Sequence, residues 1–473
     1  MKGYKTFLLA LLVAIFTLFL SLVPKGLSIG GFTLRKMDIL ADIRKGIAPP
    51  ADTLPVLADS AAMIPADSAY GVAPLPDSSE VNAALGAVIL PSVDTVLYGR
   101  TIEDYTPSQH GLDAFFAAVD SIPTHGRTVR VAFYGDSFVE GDILIGDLRD
   151  TLQSLWGGAG VGFVPITSEV ARFKRTLKHD YKGWTPHSIV KKDSNTLPYG
   201  INGFVYVPTP EAKVHYEGAD YFRHTQRWST VRLFYSAEQS VPFVWQNEGA
   251  SPTESVLPAG QIKQWKWGIG QPNIRAYAMR FPNSNGLLLY GAALESGPGF
   301  YLDNFSLRGN SGGPLGRLQP DIVQKFDNYQ HYDLIVVQVG LNAVTNDLTN
   351  IRWYEAELQR TFKHLRTCFP HKPILIVSVS DRGDKVGSEL ATMRGVPAIA
   401  AMQRRLAREQ GLLFFDLYHA MGGSGTMIRF AQQRPRLANL DYTHLTHEGG
   451  RVMGQMFAGL LLGEQKKWRV KQE

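Results

Sequence analysis

One cysteine, Cys368, stands in 473 residues. A single thiol forms no intramolecular disulfide, so a fold stapled by covalent cross-links is excluded, and cysteine usage says nothing of the redox compartment. Cys368 follows a helical pattern and precedes a buried-looking strand, which reads as a small core residue. No group of His, Cys and carboxylates has the spacing of a metal site, and no glycine-rich phosphate loop occurs, so no cofactor is expected. Basic segments interleaved with aromatics are missing, and a net charge of +5 decides little; no nucleic-acid partner is expected. From residue 46 to residue 99 there is neither lysine nor arginine, while seven prolines, many alanines and scattered aspartates fill the stretch. Such a composition buries too little apolar surface to offset the entropy of ordering. Residues 25–100 therefore read as a disordered spacer.

What is present begins at the N-terminus. Lys2 and Lys5 precede an uncharged, mostly apolar run from Thr6 to Val23, nearly long enough as a helix to span a bilayer core. No small-x-small cleavage pattern follows at Pro24-Lys25-Gly26, so residues 1–24 read as a transmembrane signal anchor, with a cleaved signal peptide as the alternative. The two lysines favour a cytoplasmic N-terminus, which exports everything after residue 24; Lys25, Arg35 and Lys36 on the other flank argue the opposite way.

Folded sequence starts near Ile102. Leu112, Phe115, Phe116 and Val119 recur at helical spacing, and Thr128 to Tyr134 is a short β-rich run. Downstream, strand and helix alternate: Asp333 to Val339, Ile351 to Cys368, Pro373 to Ser380, Val396 to Glu409, Leu412 to Asp416, and a terminal helix from Glu448 to Leu462. This alternation predicts an α/β fold with a parallel sheet covered on both faces. Residues 165–297 differ. Their runs are short, aromatic and separated by turn residues, the pattern of an all-β sandwich or jelly roll. The chain thus divides into 101–164 and 298–473 as one α/β unit, with 165–297 inserted.

Three segments carry chemistry. Ser137 closes Gly135-Asp136-Ser137 just after a predicted strand and before a predicted helix, at the sheet edge where open α/β sheets bind ligands. A serine hydroxyl there becomes a nucleophile once a base takes its proton; the alternative is a helix cap. Asp441 and His444 stand in Asp441-Tyr442-Thr443-His444-Leu445-Thr446-His447-Glu448-Gly449, where a carboxylate can orient an imidazole as base. His447 is the rival base. Asn342, in Gly340-Leu341-Asn342 after the strand ending at Val339, can donate to an oxyanion or simply make a turn.

Taken together and in this order, these segments resemble blocks I, III and V of the SGNH (GDSL-type) hydrolase family. The stretch from Tyr134-Gly135-Asp136-Ser137-Phe138-Val139-Glu140-Gly141-Asp142 through 157–163 is similar to bacterial peptidoglycan O-acetylesterases, which carry a carbohydrate-binding-module-like β-sandwich after block I. The resemblance covers about 125–463. It implies a doubly wound, flavodoxin-like parallel sheet and a serine carboxylic ester hydrolase with Ser137, Asp441 and His444 catalytic. It implies an oxyanion hole of Ser137, Gly309 and Asn342, Gly309 being the best match to block II. Ala343 departs from the acidic residue that usually follows the block III asparagine. The implied substrate is an acylated glycan of the cell envelope carrying small, acetyl-like groups, met by a catalytic domain in the periplasm and held at the inner membrane by the N-terminal helix, or released by signal cleavage. Acetyl transfer to a sugar, and a non-catalytic glycan-binding protein, are the alternatives. A competing motif, Gly309-Asn310-Ser311-Gly312-Gly313-Pro314, resembles the nucleophile segment of trypsin-like proteases and fits the Gly-x-Ser-x-Gly elbow of α/β-hydrolases. That reading makes Ser311 the nucleophile.

Overall fold

The computed structural model describes residues 101–191, 197–268, 273–283, 286–349, 351–386 and 389–473, together with a short antiparallel pair, Ser28–Ile29 and Phe32–Thr33. The expected anchor at 1–24 and nearly all of the spacer at 25–100 lie outside the described residues. Among the described residues no helix is long and apolar enough to cross a membrane.

Five parallel strands form the centre of the α/β unit. Their spatial order is Gly299–Ser306, Thr128–Gly135, Leu334–Gln338, Ile374–Val377 and Leu413–Phe415, and Glu103–Asp104 adds antiparallel to the last. Counted along the chain, the parallel strands run 2-1-3-4-5, the flavodoxin-like order. Leu334–Gln338, Ile374–Val377 and Leu413–Phe415 are buried at every position. Helices cover both faces, so these strands need continuous apolar runs rather than alternation. The strand Gly299–Ser306 is not evident from the sequence pattern, yet it is the edge partner of Thr128–Gly135 along its full length. Its register sets Ser306, Gly135 and Gln338 level with one another. Three chain segments therefore leave the sheet side by side at its carboxyl edge.

The helix Ile351–Cys368 buries Tyr354, Leu358, Phe362 and Leu365 on one stripe, as its spacing requires. Cys368 is buried, and burial pushes its thiol up to about 12. The terminal helix, His447–Gln472, runs ten residues past its expected end at Leu462. Polar contacts carry the extension: Gln465 donates to Asp120 Oδ1 at 2.6 Å and Arg469 pairs with the same carboxylate at 2.8 Å.

The inserted unit is all antiparallel. Nine strands form one continuous hydrogen-bonded sheet, beginning with Ala159–Val164, which pairs with Leu287–Ser296. The long strand Phe204–Gly218 joins its parts: Tyr206 meets Leu289, while residues 212–217 pair with Ala276–Phe281. Residues from both parts, among them Tyr206, Tyr216, Trp228, Tyr235 and Tyr277, close over one apolar core. Most of the aromatic density is thus core.

Candidate active site

Thr128–Gly135 delivers Asp136 and Ser137 to the switch point of the sheet, the crevice between strands leaving in opposite winding directions. A Cβ on Gly135 would lie 2.1 Å from Val139 Cγ2, so only glycine lets the chain fold back there. The Phe138 N–H donates to Asp136 Oδ1 at 2.9 Å. A 3₁₀ turn, Glu140–Asp142, follows, with Gly141 and Asp142 at φ 71° and 59°. The helix Ile145–Trp156 begins only then. The helix stands where the apolar spacing from Ile143 to Leu155 puts it, but Ser137 lies a loop ahead of its start and does not cap it. The intervening loop is held by Asn304, whose Nδ2 donates to Val139 O at 2.9 Å and to Asp142 Oδ1 at 2.8 Å.

His444 arrives from the far end of the chain. Its Nε2 lies 2.9 Å from Ser137 Oγ, and its Nδ1 lies 2.8 Å from Asp441 Oδ2. An ionised carboxylate only accepts, so Nδ1 carries the ring proton and Nε2 presents its lone pair to the hydroxyl. Asp441 Oδ1 accepts from the backbone N–H groups of Thr443 and His444, both at 3.0 Å. Burial opposes the Asp441 charge, but these amides and the ring outweigh it and hold the carboxyl below its ordinary range. The side chain is nonetheless 49% exposed. His447 opens the terminal helix, where burial and Arg175 lower its proton affinity.

The close approach of His444 to Ser137 depends on glycines in the terminal helix. Thr446 caps it by accepting from Gly449 N–H at 3.1 Å. A Cβ on Gly449 would fall 1.8 Å from Leu437 O, and one on Gly450 1.8 Å from Ile143 O. Gly454 lies against Asp147 and Leu148. The helix therefore packs backbone to backbone on the segment that follows Ser137.

Gly309 and Asn342 come together on the other side and line one cavity. Gly309 has φ 80°. Asn342 Nδ2 donates to Asn310 O at 3.1 Å, which leaves its second amide hydrogen for a ligand. Asn310, overlooked in the sequence, is fully buried and knits the site: its Nδ2 donates to Gly135 O at 3.4 Å and its Oδ1 accepts from Gly312 N–H at 2.9 Å. Its sequence signal is an asparagine directly after a glycine, in a segment that also offers Ser311. A second overlooked contact is the ion pair of Arg308 with Glu140, 2.5 Å, which ties the Gly309 loop to the Ser137 loop.

Ser311 meets neither of its rival descriptions. The preceding strand ends at Ser306, and the residues after it form a short 3₁₀ turn, Gly313–Arg317, rather than a helix. A parallel α/β sheet also excludes the two-barrel protease fold. Lys178 pairs with Glu217 at 2.6 Å and Arg175 stacks on Tyr221 at 4.4 Å, so each of these two cations is held by its own partner in the insert. Among the described residues no group of three His, Cys, Asp or Glu side chains could hold a metal ion.

Residues 281–452 match the model of the GDSL-like Lipase/Acylhydrolase family. The chain resembles the GDSL-type (SGNH) hydrolases over this stretch, and the likeness supports a carboxylic ester hydrolase. The matched segment holds Gly309, Asn342, Asp441 and His444. Ser137 lies upstream of it, separated by the inserted strands in sequence and returned by the sheet in space. Among solved structures, a peptidoglycan O-acetylesterase is 20% identical over 77% of this chain and 99% of its own, with a TM-score of 0.62, and shares the fold. A family two carbohydrate esterase from Clostridium thermocellum in complex with cellohexaose is 10% identical over 57% of this chain and 99% of its own, TM-score 0.27. The acetyl xylan esterase AlAXEase is 18% identical over 33% and 79%, TM-score 0.26. No curated protein sequence matches the chain.

Proposed function

We propose that this hydrolase removes small acyl groups, acetyl above all, from hydroxyls of a cell-envelope glycan, with Ser137 as nucleophile, His444 as base and Asp441 as its orienting carboxylate. The observation that carries the reading is the continuous pair of hydrogen bonds, Asp441 to His444 at 2.8 Å and His444 to Ser137 at 2.9 Å. His444 Nε2 takes the Ser137 proton as Oγ attacks the ester carbonyl. The oxyanion that forms is held by the N–H groups of Ser137 and Gly309 and by the Asn342 amide. Collapse expels the sugar hydroxyl, which receives the proton from His444. Water then attacks the acyl-serine, gives its proton to His444, and the carboxylic acid leaves as Ser137 is reprotonated. The glycan is supported by the fold shared with a peptidoglycan O-acetylesterase and by the apolar run 6–23, which would hold the enzyme at a membrane with its catalytic unit on the exported side.

The test compares Ser137→Ala with Ser311→Ala in the whole protein, on a chromogenic acetate and on O-acetylated glycan. Ser137→Ala is expected to lose roughly 10⁴–10⁶-fold in kcat, and Ser311→Ala to stay within a few-fold of the parent. Loss of activity confined to Ser311→Ala would overturn the assignment.

A further inference from the structure

A cavity of about 370 Å³ opens beside Asn342 and Gly309, between the loop 309–317 and the start of the helix Ile351–Cys368. That volume is in the range of ligand pockets, roughly 300–1,000 Å³. Two features distinguish it from a packing defect. Trp353 and Leu348 both line it, and they are 64% and 43% exposed. A single exposed apolar side chain needs no explanation, but an indole and a leucine sharing one concavity with an oxyanion donor do. The polar side chains around them are also of mixed kind: Arg317 and Glu357 line the same cavity. At its far wall the buried Tyr354 donates its hydroxyl proton to Ser311 O at 2.5 Å.

We infer that this cavity is a carbohydrate subsite, in which the Trp353 indole stacks on the C–H face of a pyranose next to the one whose ester meets Ser137. The inference rests on the glycan reading above. A pyranose has an apolar face and a rim of hydroxyls that both donate and accept. An exposed aromatic plane sharing one cavity with a guanidinium and a carboxylate matches that pattern. A long acyl chain does not fit it, since such a chain would desolvate Glu357 and the Arg317 donors other than Nη1, which bonds Ile189 O at 2.7 Å, without offering them partners. Asn342 joins the subsite to the reaction, because it faces the cavity and stands among the groups assigned to the oxyanion.

The experiment uses full-length protein and the variants Trp353→Ala and Trp353→Phe. On 4-nitrophenyl acetate, which has no sugar, both are expected to match the parent within about twofold, which also shows that they fold. On O-acetylated chitotetraose, Trp353→Ala is expected to raise KM about tenfold with kcat little changed, and Trp353→Phe to restore most of the loss. An unchanged KM for Trp353→Ala on the sugar ester overturns the subsite and leaves the glycan esterase reading standing. A larger loss on 4-nitrophenyl octanoate than on the acetate overturns it in favour of an acyl-chain pocket. If the parent hydrolyses the simple acetate but releases none from the glycan, the esterase reading fails on substrate. The subsite is then judged by titrating Ser137→Ala with unmodified chitotetraose: binding that Trp353→Ala abolishes supports it, and no binding overturns it.

Discussion

Asp136, next to the proposed nucleophile, has no exposed surface, and among the described residues its Oδ2 has no hydrogen-bond partner. Burial raises its pKa to about 7, against the partial relief of nearby amides and of His444. Below about pH 4 the carboxyl is protonated whether the chain is folded or not. From there to about 7 the unfolded chain releases this proton and the folded one keeps it, so stability falls as pH rises; above the folded value the loss is complete, at most about 4 kcal/mol. Asp136→Asn keeps an acceptor for the Phe138 N–H and removes the ionisation. Its melting temperature should therefore gain on that of the parent between pH 4 and 7 and hold a constant margin above. A margin that is flat across the whole range would mean the carboxylate is charged throughout. Two more residues separate roles. Asn342→Ala should lower kcat about 10²–10³-fold, the loss that goes with its proposed role as an oxyanion donor. Asp441→Asn should cost no more than about 10⁴-fold, the loss seen when such a carboxylate is buried, because half of the Asp441 side chain is in water. Steady-state kinetics on a small acetate measures both.

At the scale of elements, the terminal helix is the device that brings His444 home. Gly450→Ala places a methyl group 1.8 Å from Ile143 O, and the backbone must separate to admit it. We expect a stability loss of about 1–3 kcal/mol together with a fall in kcat, since His444 lies just ahead of the helix. Gly459→Ala is the matched control: nothing lies within 4 Å of its Cβ, and relief of glycine's backbone entropy should stabilise the helix by about 0.5–1 kcal/mol with activity unchanged. Urea melts and ester hydrolysis read both outcomes. These elements were legible to different degrees. Ile351–Cys368 is visible because its apolar residues repeat every three or four positions over five turns. The short helices Leu417–Ala420 and Thr426–Gln432 are not, since one or two turns hold too few residues to display a period.

At the scale of the molecule, the inserted unit and the α/β unit share a core rather than a tether. Phe163 packs edge-on against Phe305 at 5.3 Å, Phe234 lies 5.6 Å from Phe326, and Tyr134 donates to Ile201 O at 2.6 Å. Beneath the seam, Arg130 of the strand Thr128–Gly135 meets Asp303 at 3.1 Å and Glu295 at 2.7 Å, and Glu295 also accepts two bonds from Arg232 Nη2 at 2.8 Å. Burial disfavours the Glu295 charge, but the two guanidinium groups more than offset it and hold the carboxyl below its usual range. Removing it leaves two buried cations short of a partner. Glu295→Ala should lose about 3–5 kcal/mol, seen in calorimetry as one shifted transition covering both units rather than a separate early melt of the insert. Because the folded carboxyl stays charged where the unfolded one would not, the gap between Glu295→Gln and the parent is full above the ordinary glutamate range and closes as pH falls from there through the lower folded value.

Chemistry and order along the chain were decided locally. Gly135-Asp136-Ser137, Asn342 and the Asp441 to Gly449 segment can be read without coordinates, because a turn after a strand, an amide at a strand end and a carboxylate three residues before an imidazole are short-range patterns. The parallel strand alternation is equally local, since each strand needs its own unbroken apolar run. What the chain could not announce depends on residues far apart meeting. Gly299–Ser306 becomes a sheet strand only through its neighbour Thr128–Gly135, and Asn310 becomes a strut only because Gly135 and Asn342 are within reach. Between Ser137 and Ser311 only tertiary geometry discriminates. Both lie in glycine-rich turns of acceptable sequence, and it is the Ser137 hydroxyl that reaches His444 Nε2, because parallel winding returns chain-distant loops to one edge of the sheet.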